Sequence, residues 1–372
     1  MNHYHNVMVE MDNERFDVIL ADKFKGVRYE PLIDRLTSYS WSVIFLSDVF
    51  WIYKYKCLVT NHYFGGETVE QSSFIHRFAY LIIQSINHFL PFLGIKKIVQ
   101  IKKQYFQNIL GKYNIRFMYG ADVGGEKFGS WNNLFDLFFC HGPNDSKMIK
   151  DMFDKPVYEM GYPRYDGYFN SNKNIIEIKN KFNCDNDKKT ISWICTVSEY
   201  FSTIETYYLA MKELASDYNI IIRPHPLEID KQYDRYNETV HKIVTSDNFI
   251  LNDDSFQDMV ELYLISDFIV CDYGGTIFSA LYMEKNILLL NHNSVHKDLG
   301  IYTSTSMDVR NYLLNINQQD SYKIKEYLQD DELWKKSHKR MQEARSLYFG
   351  NHYGGSATKA AERLTTLLEN NH

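Results

Sequence analysis

Cysteine is scarce in this chain and scattered. The five residues, Cys57, Cys140, Cys184, Cys195 and Cys271, are odd in number, and no two are closely spaced. That excludes a disulfide framework and a zinc knuckle, and it reads as reduced thiols in a cytosolic protein. Charge of one sign is lacking too. Against 41 basic residues stand 47 acidic ones, a formal net charge of -6. A mildly acidic chain does not advertise global nucleic-acid binding, and no nucleic-acid partner is expected. Met1–His5 carries no basic stretch followed by an apolar run, so no secretory leader is expected.

Long apolar runs are missing as well. Phe78 to Ile95 comes nearest, but it contains Gln84, Asn87, His88 and Pro91, which argue against a spanning helix. Lys96, Lys97, Lys102 and Lys103 follow it. Two readings stand for 78–103: a buried helix with a solvated lysine face, or an apolar, aromatic helix lying on an anionic leaflet. The second would make the protein cytoplasmic and peripheral on the inner face of the cell membrane. Several motifs are absent: a Walker lysine loop, G-x-G-x-x-G, H-E-x-x-H and G-x-S-x-G. Asp185-Asn186-Asp187 has the letters of a metal-binding D-x-D but sits in a polar stretch and reads as solvated loop. No metal and no cofactor are expected.

What is present is ordinary globular composition, 45% hydrophobic and 24% charged, with 29 Tyr and 24 Phe in excess. A length of 372 residues fits two domains. Asp17–Leu20, Ser42–Leu46, Cys57–Thr60 and Phe135–Cys140 read as buried strands, each followed by polar or Gly-containing sequence. Asn170–Lys189 reads as a polar linker. Beyond it, strands at Thr190–Cys195, Tyr218–Ile222, Phe249–Leu251, Phe268–Cys271 and Asn286–Asn291 alternate with helices at Ile204–Ser216, Phe256–Ile265 and Thr276–Met283. That alternation implies a parallel sheet with right-handed crossovers. The tail Trp334–Glu369 reads as helical. The expected division is 1–170, 171–345 and a C-terminal helix within 346–372.

Four segments could carry chemistry. In Ile220-Ile221-Ile222-Arg223-Pro224-His225-Pro226, an apolar strand delivers Arg223 and His225 to its carboxyl end, where α/β sheets bind ligands. Arginine suits phosphate oxygens, and histidine can act as acid, base or donor. In Phe268 to Thr276, a strand runs through Asp272-Tyr273-Gly274-Gly275 into a helix. There the glycines let amides approach a phosphate, and Thr276 can cap the helix or bond an oxygen. Gly161-Tyr162-Pro163-Arg164-Tyr165-Asp166 is a stiff turn that presents Arg164 and Asp166, as an interdomain turn or as a substrate contact. In the N-terminal half, His62, Glu67, Asp122, Glu126 and His141 are candidate acids or bases, and Gly142 follows a clear strand.

Taken in order, Gly161–Asp166, Arg223–Pro226 and Ser266–Gly275 resemble the CDP-glycerol glycerophosphotransferase family of teichoic-acid and capsule synthesis. The resemblance covers roughly Asn114 to Asn291. Ile191–Thr196 sits where that family begins its donor domain, and Tyr353-Gly354-Gly355-Ser356-Ala357 resembles a Gly-rich turn near that family's end. The resemblance implies an α/β, GT-B architecture: two Rossmann-like domains with parallel sheets facing a central cleft. The N-terminal domain would take a glycan or glycolipid acceptor and the C-terminal domain a nucleotide-activated donor. The final helix would cross back to the first domain.

It further implies a metal-independent transferase in which His225 and Arg223 meet the donor phosphate. Gly274, Gly275 and Thr276 would join them, with Thr196, Ser198, Pro224 and Tyr273 in the donor site. Asp272 would orient the loop or touch the nucleotide. Glu126, Asp122 or His62 would activate the acceptor, and Tyr119, His141, Gly142, Arg164 and Asp166 would bind substrate. The family's His-Gly pair is Tyr119-Gly120 here, with Tyr in place of the proposed base. Two alternatives therefore stand: a glycosyltransferase using CMP-Kdo or another nucleotide sugar, and an epimerase-like enzyme or inactive scaffold.

Overall fold

The computed structural model describes residues 4–20, 24, 30–49, 55–62, 78, 81, 82, 85, 111–118, 120, 121, 129–254, 259–351 and 353–370. Of 78–103, only Phe78, Leu81, Ile82 and Ser85 fall among them; Glu67, Tyr119, Asp122 and Glu126 lie outside.

Every described strand pairs in parallel. In the N-terminal half, β1 (Asp17–Leu20) pairs with β2 (Ser42–Phe45). A second sheet runs β3 (Tyr55–Thr60), β4 (Gly111–Phe117), β5 (Leu137–Cys140) and β6 (Val157–Glu159). Phe138, Phe139 and Cys140 are fully buried, as a strand covered on both faces requires. Each such Phe contributes about 1.5–3 kcal/mol through burial.

None of the expected strands covers β4. Its sequence, GKYNIRF, carries polar residues into a buried position. Asn114 offers its backbone N–H to Asp136 Oδ2 at 2.7 Å, and the Arg116 guanidinium bonds Asn132 and lies 4.5 Å over the Trp131 ring. The contacts of Arg116 partner a charged side chain that a hydrophobic-pattern reading counts as exposed.

The change of sheet falls between β6 and β7. The C-terminal half holds β7 (Lys189–Ile194), β8 (Tyr218–Arg223), β9 (Ile250–Leu251), β10 (Phe268–Cys271), β11 (Asn286–Leu290) and β12 (Leu314–Ile316). Their spatial order is β12-β11-β10-β7-β8-β9. The chain builds outward from β7 to one side and then from β10 to the other, so the loops after β7 and β10 diverge. This is the topological switch point at which open α/β sheets bind ligands.

Two expectations change. Asn170–Lys189 is not all linker, because Ile175–Lys181 is a helix. Asn174 caps it by accepting from Ile176 N at 3.0 Å, and Ile178, Phe182 and Cys184 enter the C-terminal core. Three apolar residues among many Asn and Lys suffice for one buried stripe. The tail is two helices, Asp331–Phe349 and Ser356–Asn370. Gly350, Gly354 and Gly355 divide them at φ 58°, 70° and 65°, a left-handed conformation that glycine adopts readily. The final helix returns to the N-terminal sheet, setting Ala357, Ala360, Ala361 and Leu364 against Ile115, Phe117, Leu137 and Phe139.

Candidate functional site

A cleft of about 410 Å³ opens at the carboxyl ends of β7, β8 and β10. Thr196, Arg223, Pro224, His225, Tyr273, Gly275 and Thr276 line it from the C-terminal half, and Gly120 and Arg164 from the N-terminal half.

Strand β8 ends at Arg223, whose guanidinium is held by Asn252 Oδ1 and by the Asp254 carbonyl at 3.2 Å. Burial, and then the facing Arg164, push its pKa down from the usual arginine value. Two guanidinium groups at one cleft disfavour each other, and an anion between them reverses that.

His225 caps the short helix Pro226–Ile229 by accepting from Leu227 N at Nδ1, 3.2 Å away. An accepting Nδ1 assigns the proton of the neutral ring to Nε2. Burial and Arg235 hold the imidazole pKa below its usual value. His225 therefore presents a neutral Nε2–H donor at neutral pH.

Gly274 has φ 81° and ψ -160°, open essentially to glycine alone, and this lets the chain turn into the helix Gly275–Tyr282. The first amides of that helix have no partner within it and concentrate positive potential at the cleft. A Cβ built on Gly275 meets nothing within 4 Å, so the backbone there is open to a ligand.

Asp272 is fully buried and closed off from the cleft. Its carboxylate accepts from Thr196 N at 2.8 Å, Tyr273 N at 2.6 Å and the Thr203 hydroxyl. Burial pushes its pKa up to about 6 against the pull of those three bonds. Asp272 orients the loop; a nucleotide contact is excluded by its burial. Arg310, unmarked by any sequence motif, binds the Asp272 carbonyl and lies 4.4 Å over the Tyr273 ring. Ser198 also shapes a loop and does not line the cleft. Its hydroxyl donates to Asp298 Oδ2 at 3.1 Å and accepts from Tyr200 N.

Several N-terminal candidates sit elsewhere. His141 is fully buried, with Nδ1 2.9 Å from Asp145 Oδ2 and its ring edge against Tyr162, so it does not reach substrate. Gly142 is structural: a Cβ there would come within 2.6 Å of Phe349 Cα, so glycine lets the Asp331–Phe349 helix approach. Asp166 is buried and bonds Ala357 N, not a ligand. His62, at the end of β3, lies 4.5 Å from the Trp131 ring and outside the cleft lining. Gly120 does line the cleft, and Ala121 accepts from the Thr305 hydroxyl at 3.3 Å. Sequence reasoning also missed Glu228. Burial, then Asp272 and Glu205, push its carboxyl up to about 8.

Residues 120–369 match the model of one family, CDP-Glycerol:Poly(glycerophosphate) glycerophosphotransferase. The chain belongs to this family. A teichoic acid glycerol-phosphate transferase of Staphylococcus aureus is 31% identical over 167 residues, 41% of this chain and 40% of that protein. A teichoic acid poly(glycerol phosphate) polymerase of Bacillus subtilis is 26% identical over 147 residues, 37% of this chain and 18% of that protein. The chain thus spans less than half the length of these curated relatives. Among solved structures, a TagF wall teichoic acid polymerase variant soaked with CDPG superposes with a TM-score of 0.59 at 16% identity, covering 97% of this chain and 90% of that one. A putative UDP-N-acetylglucosamine 2-epimerase of Listeria monocytogenes gives 0.54 at 12% identity, covering 98% and 91%. These likenesses show the fold, and it is the GT-B architecture of this glycerophosphotransferase family member.

Proposed function

We propose that the protein transfers glycerol phosphate from CDP-glycerol to a glycan-type acceptor in cell-wall polymer synthesis. The carrying observation is the convergence of Arg223, His225, Arg164 and the Gly275 amides on one cleft at the switch point. The guanidinium forks of Arg223 and Arg164 suit the oxygens of a diphosphate lying in that cleft. In the proposed reaction an acceptor hydroxyl oxygen bonds to the glycerol-bearing phosphorus. The bond from that phosphorus to the bridging oxygen breaks, and CMP leaves with the electron pair. The hydroxyl proton passes to a base.

The His225 Nε2–H is suited to stabilising the charge that develops on the departing phosphate. Its Nδ1 is committed to the Leu227 amide, which suits a donor role and not that of a base. The base would then come from the N-terminal wall, where Gly120 marks the loop after β4. Contact with the inner membrane face belongs to the same reading. Among the described residues no helix is long and apolar enough to cross a membrane, and Phe78, Leu81 and Ile82 are exposed.

The test is CMP release measured by mass detection with CDP-glycerol and a short poly(glycerol phosphate) acceptor. CDP-ribitol, CMP-Kdo and UDP-sugars serve as competing donors. Acceptor-dependent CMP release from CDP-glycerol is expected. Turnover of a UDP-sugar without acceptor, or none of the donors turned over, would overturn the reading.

A further inference from the structure

We infer that Asp166 is a positioning residue for the cleft: by holding the start of the final helix, it fixes Arg164 toward the donor. The inference rests on the donor-binding reading above and adds a residue to it.

Asp166 Oδ2 accepts from Ala357 N at 2.6 Å across 191 positions of sequence. The helix it caps, Ser356–Asn370, is packed on the N-terminal sheet. A carboxylate at a helix start satisfies amides that lack partners and complements the positive end of the helix dipole. A local Ser or Asp could do this. Here the cap comes from the turn that also carries Arg164.

That turn is short and tied at several points. Pro163–Tyr165 is one turn of 3-10 helix, continued by Asp166–Phe169. Asn6 Nδ2 donates to the Pro163 carbonyl at 2.7 Å. Tyr165 Oη accepts from Ser279 at 2.8 Å. Arg164 therefore stands directly before two tethers. Tyr165 ties it to the Gly275–Tyr282 helix, and Asp166 ties it to the final helix. Its guanidinium lies 5.3 Å over the Tyr165 ring.

The opposite wall reaches the same joint. Tyr282 Oη is 3.1 Å from Ser356 Oγ and accepts from Gly354 N at 3.2 Å. The helix ending near Tyr282 begins at Gly275 in the cleft. The first turn of the final helix thus gathers both walls of the donor site, one through Asp166 and one through Tyr282. Burial raises the Asp166 pKa although the Ala357 and Ser356 partners pull it down, so the cap offsets only part of the cost of burying the carboxylate.

The experiment is a double-mutant cycle read by calorimetric binding of CDP to the full chain, at a temperature where each variant is folded. Asp166→Ala should weaken CDP about tenfold, and Arg164→Ala by as much or more. The double variant should bind no more weakly than Arg164→Ala alone, because the two act through one contact. Asp166→Asn, whose Oδ1 still accepts from Ala357 N, should restore most of the affinity.

If Asp166→Ala does not fold, Ala357→Pro removes the donated N–H at a first-turn position where proline is tolerated, and it enters the same cycle. Additive effects, or unchanged affinity in Asp166→Ala alongside a lowered melting temperature, would reduce Asp166 to a structural cap. Wild-type protein that binds no CDP would instead overturn the donor reading itself.

Discussion

The backbone N–H of Thr196 donates to Asp272 Oδ1 at 2.8 Å, and this bond ties the loop after β7 to the loop after β10. Those are the two loops that diverge at the switch point. The carboxylate also takes Tyr273 N and the Thr203 hydroxyl, so one side chain sets both floors of the cleft. Asp272→Asn keeps the size but turns one acceptor into a donor facing N–H or O–H groups. We expect a loss of about 1–3 kcal/mol for each donor left unpaired, and CDP binding lost with it. Thermal melting and calorimetry on the same sample check this; unchanged values for both would contradict the role given to Asp272.

His225→Ala should lower kcat by about a hundredfold or more while leaving the melting temperature within a few degrees of wild type. Its pH dependence has a definite sign. The folded pKa lies below the unfolded value, so the folded state binds fewer protons between the two. Stability from His225 is present above the unfolded pKa near 6.5 and lost as pH falls through the folded one. Melting curves of wild type and His225→Gln between pH 5 and 8 should therefore converge toward the acid end; parallel curves would count against it.

Gly274→Ala places a side chain where φ is 81° and ψ is -160°. The backbone strain should cost about 1–3 kcal/mol. The shift at the start of the Gly275 helix should also raise KM for CDP-glycerol. Gly275→Ala is the contrast: a Cβ there meets nothing within 4 Å, so stability should hold while the ligand is crowded. Equal melting temperatures for the two variants would contradict the conformational argument.

Glu228 titrates near 8 because it is buried beside Asp272 and Glu205. Its folded pKa lies above the unfolded one, so its contribution is full below about 4.5 and lost as pH rises through about 8. Glu228→Gln removes the charge that appears at high pH. The variant should melt higher than wild type at pH 9 by on the order of 2–4 °C, with the difference shrinking toward pH 6. A difference that does not depend on pH would refute this account.

The family, the α/β class and the cleft strands β7, β8 and β10 were legible because their signals are local. Apolar runs end in Arg223 or in Asp272-Tyr273-Gly274-Gly275, and glycine and proline mark the turns. Strand β4 was not legible, because Asn114 and Arg116 are buried polar side chains, and the partner of Arg116, Asn132, comes from elsewhere in the chain. Asp166 and His141 have the same chemistry as ligand-binding residues in a one-dimensional reading. Only burial against Ala357 and against Asp145 tells them apart from Arg164 and His225, which line the cleft.

The sequence by itself determined the cleft strands β7, β8 and β10 and the side chains that end them, since hydrophobic period and turn chemistry act over a few residues. Only the tertiary structure decided which polar groups face a ligand and which hold the walls. Whether a carboxylate spends its lone pairs on substrate or on a distant helix depends on what packs over it, and contacts across 76 or 191 positions are not written in any local pattern.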